Sequence, residues 1–276
     1  MTTKTQHPFP QVRDFLDESF ALYDLVKDLD EKQLEQVTAF KNWTINDVIA
    51  HLQIWNMAAG ISLNDPEGFQ EYMQIVDEIF AANGTLKDFE RIYLNTKGIA
   101  LVELWKQDFI QIAKRFARAD PGARVKWAGP DMSVRSSITA RLMETWAHGQ
   151  EIYDVLGVER ENTDRIKNIV VLGVITYPYT YRIRREELPG PMPYLSLVAP
   201  SGKTWTFGEE SEQEFVRGLA VEFAQVVTQT RNIKDTNLYV KGVIAKDWMS
   251  KAQCFAGAAE DPPKPGTRFI NTEAKA

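Results

Sequence analysis

The chain of 276 residues is long enough to form one large domain or two smaller ones, and its 44% hydrophobic and 25% charged residues are typical of soluble globular proteins. A formal net charge of −6 disfavours binding to nucleic acid or to anionic membrane surfaces. The single cysteine, Cys254, excludes an intrachain disulfide and a cysteine-based zinc cluster. The N-terminus has no apolar signal region, and no apolar run approaches the roughly 20 residues of a membrane span, so we expect a cytoplasmic protein.

The first part of the chain has the apolar periodicity of helices. Thr44 and Asp47 have the spacing of a capping box, which marks the start of one of them. Predicted helices run over residues 12–29, 42–60, 65–83, 86–118 and 134–156. Short connections between long amphipathic helices predict an antiparallel four-helix bundle with one extra helix.

The pattern of apolar residues changes after Glu159, where segments with helical periodicity are interspersed with segments in which apolar and polar residues alternate. Residues 194–208 alternate in period two around Ser201-Gly202 and predict a β-hairpin. Ser211 and Glu214 have capping-box spacing and predict a helix that runs to about Gln229, followed by one more strand and one more helix.

These patterns predict an α+β protein of two domains with a polar, Pro-rich tail. We expect a helical bundle over residues 1–160, a small α+β domain over 165–257 and a flexible tail over 258–276.

One histidine-containing segment raises the question of a metal site. Glu144 and His148 are four residues apart on the last bundle helix, so their side chains share one stripe. That stripe lies opposite the apolar one, and by periodicity alone it could simply face water. His51 shares a stripe with Ile54 and Trp55 and should point inward, where a lone histidine is more often a core residue than a ligand. Two imidazoles and a carboxylate would nevertheless suit Zn²⁺, and the spacing leaves both interpretations open.

Two segments carry a family resemblance, "NWTINDVIAHL" and "METWAHGQEIYDVLG". Together they resemble the paired signatures of the DinB-like superfamily, in its mycothiol-dependent maleylpyruvate isomerase branch. His51, Glu144 and His148 stand at the three signature positions, so the resemblance implies that they bind a divalent metal, with zinc expected. Glu151 replaces the usual Asp of the second signature. The C-terminal segment is similar to the sterol-carrier-like domain that follows the bundle in such proteins.

The resemblance implies an enzyme that uses a low-molecular-weight thiol such as mycothiol to isomerise or conjugate a small electrophilic, anionic substrate. An anion needs a cation nearby, and Arg141 is one turn from Glu144 on the same stripe. In the resembled isomerase an arginine of the C-terminal domain assists catalysis, and Arg231 is our candidate for that role.

Two other functions stay open. The protein could be a non-catalytic binding protein whose second domain holds an apolar ligand and whose metal is structural, or a metal-dependent hydrolase that uses hydroxide in place of a thiol. In each case we expect a small-molecule partner and a monomer or homodimer. The sequence identifies neither the substrate nor the metal.

Overall fold

The computed structural model describes residues 9–271, in which a series of helices is followed by helices and a small sheet. The fold is therefore α+β, as predicted. The chain divides into two units, Met1–Ile152 and Tyr153–Ala276. Within the described range no helix combines the length and apolar character that crossing a membrane would require.

The described part of the first unit contains helices and one short two-stranded ribbon. The helices are α1 (Pro10–Val26), α2 (Glu31–Leu34), α3 (Ile45–Asn64), α4 (Pro66–Ala81), α5 (Leu86–Tyr93), α6 (Gly98–Phe116) and α7 (Val134–Val155). The ribbon pairs β1 (Arg124–Val125) antiparallel with β2 (Met132–Ser133).

Four long helices, α1, α3, α6 and α7, have 17, 20, 19 and 22 residues and form the bundle that the sequence predicts. Helix α6 packs against both α1 and α3, and α3 also packs against the shorter α4 and α5. Besides these four, the described part of the first unit contains three shorter helices, α2, α4 and α5, where one was expected.

The prediction of one helix over residues 86–118 is wrong, because α5 ends at Tyr93 and α6 begins at Gly98. Gly98 has a left-handed backbone with φ of 64°. Its N–H donates to the Asn46 side-chain oxygen at 2.7 Å, and the Ile99 N–H donates to the Glu31 carboxylate at 3.2 Å. These contacts to distant residues satisfy the start of α6 and favour the break over a continuous helix.

The second unit contains a four-stranded sheet with helices. Its helices are α8 (Lys167–Ile175), α9 (Tyr177–Arg184), α10 (Ala220–Val227) and α11 (Val243–Lys251), and its strands are β3 (Tyr194–Val198), β4 (Thr204–Phe207), β5 (Phe215–Leu219) and β6 (Tyr239–Lys241). The strand order is β4-β3-β5-β6, with β3 and β5 parallel and both outer pairs antiparallel. The predicted hairpin is the β3–β4 pair.

The prediction of a helix from Ser211 to Gln229 is wrong in its first half. Phe215–Leu219 is strand β5, which gains a hydrogen-bonded neighbour on each side, and the helix starts only at Ala220. The Ser211 hydroxyl does accept the backbone N–H of Glu214 at 3.1 Å, but it closes a turn. The Glu214 carboxylate instead accepts the N–H of Val243 at 2.8 Å, at the start of α11.

The tail was expected to be loose from residue 258 onward. Residues 258–271 form no helix or strand, yet hydrogen bonds anchor them to the second unit. Asn232 donates to the Pro263 carbonyl at 2.8 Å, Arg268 donates to the Gln229 carbonyl at 3.0 Å, and the Asn271 N–H donates to the Asp154 carbonyl at 2.8 Å. Residues 272–276 lie outside the described range.

Helix α3 starts at the predicted capping box, in which the Thr44 hydroxyl accepts the Asp47 N–H at 3.1 Å and the Asp47 carboxylate accepts the Thr44 N–H at 2.9 Å. We expect Thr44→Ala to cost about 1 kcal/mol of unfolding free energy, because it leaves an N-terminal donor of α3 unpaired. The denaturation midpoint of the first unit in urea measures this.

Thr139→Ala is the matched control, since the Thr139 hydroxyl only donates to the Arg135 carbonyl of its own helix at 2.8 Å. A midpoint that is equally unaffected by both substitutions would show that the capping box does not contribute to stability.

Candidate metal centre

Helix α3 places His51 in the interior of the first unit. The capping box sets the helix start, and two turns later His51 lies on the buried face with 7% of its surface exposed. The inward orientation predicted from its apolar stripe is therefore what the structure shows.

Helix α7 brings Glu144 and His148 to the same place. Only 21% of the Glu144 side chain and 13% of the His148 side chain are exposed, so this stripe does not form a solvated face. The Glu144 Oε2 atom lies 3.2 Å from His148 Nε2 and 3.6 Å from His51 Nε2. One ligand-type atom from each of the three residues lies within 4.8 Å of the others.

The spacing of these atoms suits a single divalent ion. A tetrahedral Zn²⁺ with bonds of about 2.1 Å holds its ligand atoms about 3.4 Å apart. The two separations that involve Glu144, 3.2 and 3.6 Å, bracket that value, and the two imidazole nitrogens lie within 4.8 Å of each other. Two imidazole nitrogens and one carboxylate oxygen are also the donor types of many catalytic zinc sites, which leave the fourth position to water or substrate. The three residues thus fit the metal that the family resemblance implies.

A fourth residue, Glu90 of α5, holds the ring of His51 from behind. Its Oε1 lies 2.6 Å from His51 Nδ1, and Glu90 is 1% exposed. A carboxylate that accepts the Nδ1–H fixes the imidazole so that Nε2 faces Glu144, an arrangement typical of metal-binding histidines. The sequence analysis missed Glu90, because nothing in its local pattern separates it from the exposed glutamates of the region.

The electrostatic surroundings favour the protonated form of the His51 imidazole and the neutral form of the His148 imidazole. Burial acts to lower the pKa of His51, but the carboxylates of Glu90 and Glu144 outweigh it and raise that pKa to about 9. Burial lowers the pKa of His148 to about 4, and the neighbouring positive His51 adds to this effect. Burial acts to raise the pKa of Glu144, yet hydrogen bonds from His148 and His51 hold it well below its usual range.

The charges of the cluster balance in the metal-free form. Protonated His51 and Arg141 then offset the carboxylates of Glu90 and Glu144. A divalent ion that replaces the His51 proton would leave one positive charge in buried surroundings. An anionic ligand would neutralise that charge, since buried charges need partners.

Aromatic rings surround the imidazoles. Trp43, which precedes the capping residue, stacks on His148 with ring centroids 5.8 Å apart and lies 5.2 Å from His51. Phe40 meets His148 edge-on at 5.0 Å, and Trp55 lies 6.3 Å from His51. Trp43 and Phe40 were not among the predicted site residues, although an apolar residue just before a helix cap is a recognised packing position. This wall shields the cluster from water and so strengthens its charge interactions.

Behind the cluster lies a polar cavity of about 490 Å³. Glu90 lines it together with Asp47, Lys87 and Arg91. The Asp47 carboxylate pairs with the Lys87 ammonium group and lies 3.6 Å from the Arg91 guanidinium. The residue that orients His51 therefore also borders this cavity.

Arg141, a predicted catalytic residue, is 2% exposed on α7 and its Nε donates to the Asn56 side-chain oxygen at 3.1 Å. Its charge acts on Glu144, whose pKa it helps to lower. The structure therefore places Arg141 in the first unit beside the three candidate ligands.

Arg231, the other predicted catalytic residue, belongs to the second unit. Its two terminal nitrogens each donate to a carboxylate oxygen of Asp154 at 2.7 Å, and both residues are buried. Bidentate pairing of this kind gives Arg231 a structural contact inside its own unit. A catalytic role for it stays a prediction.

A helical bundle whose two longest helices bring two imidazoles and a carboxylate together, followed by a small α+β unit, defines a DinB-like protein with a candidate metal centre. Residues 15–153 match the family described as Mycothiol maleylpyruvate isomerase N-terminal domain. The chain belongs to that family.

Comparison with known proteins adds relatives and a fold. Two uncharacterized proteins of Mycobacterium tuberculosis, one from each of two strains, are 34% identical over 252 residues, which covers 91% of this chain and 96% of theirs. A crystal structure of a histidine-to-alanine mutant of the mycothiol-dependent maleylpyruvate isomerase aligns with a TM-score of 0.51 and 16% identity, covering 79% of this chain and 87% of that one. The latter likeness shows a shared fold.

Metal binding should release a proton. With a pKa of about 9, His51 is protonated at pH 7, whereas His148, at about 4, is not. An ion bound at His51 Nε2 must displace that one proton, so the apparent Zn²⁺ affinity should fall about tenfold for each pH unit below 9. Isothermal titration with Zn²⁺ in buffers of different ionisation enthalpy counts the protons released.

Glu90→Gln should reduce this release to well below one proton at pH 7, because the pKa of His51 falls when one carboxylate is removed. Glu78→Gln, at an exposed position, is the control and should behave as wild type. Equal proton release in the wild type and Glu90→Gln would refute this account of His51.

The Arg231–Asp154 pair predicts a stability effect. Arg231→Gln leaves the Asp154 carboxylate buried without its cation, which should cost about 3–5 kcal/mol of unfolding free energy. Adding Asp154→Asn removes both charges and should recover most of the loss, as urea unfolding of the second unit would show. A double variant that is stable but inactive would show that Arg231 also acts in catalysis. An Arg231→Gln variant as stable as wild type would show that the ion pair does not stabilise the second unit.

Proposed function

We propose that this protein is a metal-dependent enzyme that uses a low-molecular-weight thiol to isomerise or conjugate a small electrophilic substrate. The proposal rests on one observation: in a chain of this family, ligand-type atoms of His51, Glu144 and His148 lie within 4.8 Å of one another at a site shielded from water. The name of the structural relative supplies the thiol, mycothiol, and the reaction class, isomerisation.

The ligand set supports catalysis more than a purely structural metal. Three protein donors leave a position open on a four-coordinate ion, and no further His, Cys, Asp or Glu joins the group within residues 9–271. A divalent ion held by His51, Glu144 and His148 would act as a Lewis acid and would lower the pKa of a bound thiol, so that the thiol would be deprotonated at neutral pH.

The residues around the ligands each have a definable task. Glu90 accepts the Nδ1–H of His51 and keeps the ring in the orientation that the ligand set needs. Trp43 and Phe40 pack against His148 and exclude water, which protects a reactive thiolate from competing proton transfer. Arg141 adds a positive charge that favours anionic substrates.

A buried thiol of the chain does not offer an alternative nucleophile. Cys254 belongs to the second unit and is 4% exposed, in the manner of a small apolar residue. The proposal therefore requires a thiol from solution, and the expected cofactors are a divalent metal such as zinc and a small thiol such as mycothiol.

Removal of one ligand tests the proposal. His148→Ala should lower metal content at least tenfold after purification without chelators and abolish thiol conjugation, because two remaining ligands hold the ion poorly. The fold should persist, since the substitution removes no buried apolar side chain. Elemental analysis, a mycothiol conjugation assay and circular dichroism give the three readouts.

Asp77→Ala, which removes an exposed carboxylate on α4, is the control and should retain both metal and activity. Stoichiometric metal in His148→Ala would overturn the assignment of the ligands. Turnover that needs the metal but no thiol would instead support a hydrolase, and stoichiometric metal without any turnover would support a binding protein.

A further inference from the structure

The buried guanidinium of Arg141 has unused hydrogen-bonding capacity. Its Nε donates to the Asn56 side-chain oxygen at 3.1 Å, but its Nη2 has no hydrogen-bond partner among the described residues. Since Arg141 is 2% exposed, water from the surface does not reach that nitrogen freely. A buried cationic donor left unpaired is costly, and such a group requires an explanation.

Two neighbouring groups share this property. The Nδ2 of Asn56, on the same amide that accepts the Arg141 hydrogen bond, is buried and unpaired in the part of the chain that the structure describes. The Ser137 hydroxyl is also buried without a partner within residues 9–271, and Ser137 precedes Arg141 by one turn on the same face of α7. Two N–H donors and a hydroxyl thus collect around one guanidinium.

The chemistry of these groups selects an anion with planar oxygens. On a guanidinium, Nε and the adjacent terminal nitrogen form one fork, so a free terminal N–H projects beside the Asn56 amide that Nε already contacts. The amide contributes a further N–H, and a serine hydroxyl rotates to donate as needed. A carboxylate accepts several such hydrogen bonds at once, and Arg is suited to its geometry.

Arg141 and Asn56 lie close in sequence to the candidate metal ligands. Arg141 precedes Glu144 by three residues, which is a rise of about 4.5 Å along the helix axis. Asn56 follows His51 by five residues on α3. Both helices that carry the candidate ligands therefore also carry this donor cluster, and within it Arg141 is one turn from the nearest ligand, Glu144.

We propose that Arg141, Asn56 and Ser137 form a subsite that binds a carboxylate of the substrate. The inference rests on the proposed function, because the subsite lies on the two helices that also carry the candidate metal ligands. It assigns recognition of that carboxylate to three named residues of this chain, and it predicts that analogues without a carboxylate bind poorly.

Maleate is the test ligand, since it carries two carboxylates and no other group that competes for these donors. Titration calorimetry of Zn²⁺-loaded protein, in the absence of thiol, measures its affinity. Arg141→Gln should weaken maleate binding more than tenfold while elemental analysis shows an unchanged zinc content. Arg135→Gln, an exposed arginine on the same helix, is the matched control and should bind maleate as wild type does.

Asn56→Asp provides a second variant in case Arg141→Gln fails to fold. It retains the arginine and places a carboxylate beside it, so it should raise the melting temperature and weaken maleate binding more than tenfold. The neutral dimethyl ester of maleate should bind wild type and both variants equally weakly.

The subsite is overturned if wild type does not bind maleate. It is also overturned if wild type, Arg141→Gln and Asn56→Asp bind maleate equally well. A buried water would then be the partner of these donors. The outcome is separate from the proposed function. If the protein binds maleate in a way that depends on Arg141 but does not conjugate thiols, the thiol chemistry is refuted and the subsite stands. If the protein conjugates thiols but shows no Arg141-dependent maleate binding, the subsite is refuted and the thiol chemistry stands.

Discussion

The buried imidazole of His51 is the constraint on which the arrangement of the first unit depends. A ring without access to water needs a partner for each nitrogen. Glu90 lies on its Nδ1 side at 2.6 Å and Glu144 on its Nε2 side at 3.6 Å. This requirement ties three helices, α3, α5 and α7, to a single side chain, and it explains why a helix as short as α5 must lie against α3.

The burial of charge on α7 follows from the same requirement. Arg141, Glu144 and His148 lie on one stripe of a helix that is largely enclosed. Apolar residues of similar volume would be as stable at such positions or more so. The stripe is therefore better explained by what it binds than by what it contributes to folding. A divalent ion and an anionic ligand together would preserve the charge balance of the cluster, whereas either one alone would disturb it.

Local signals predicted the parts of the site that depend on helix geometry. The Thr44–Asp47 capping box located the start of α3, and the i, i+4 spacing placed Glu144 and His148 together. The apolar stripe around His51 predicted its burial. The family signatures then singled out these three residues among the polar residues of the bundle, which spacing alone could not do.

Contacts between residues distant in sequence determine the features that the sequence patterns did not predict. Glu90 is buried on α5, a helix that ends before α6 begins, and Asn46 and Glu31, which are distant in sequence, satisfy the start of α6. The capping signal at Ser211 is real but local, and strand pairing on both sides of β5 outweighed it. In each case the deciding partner lies too far along the chain for a pattern of neighbours to reveal it.

The central claim is that His51, Glu144 and His148 hold one divalent ion with a position left for a thiol. X-ray absorption at the zinc edge of the loaded protein tests it most directly. The account predicts two imidazole nitrogens and one carboxylate oxygen at about 2.0–2.2 Å, and an added sulfur at about 2.3 Å once mycothiol is supplied. A spectrum with fewer than two imidazoles, or one that mycothiol leaves unchanged, would contradict it.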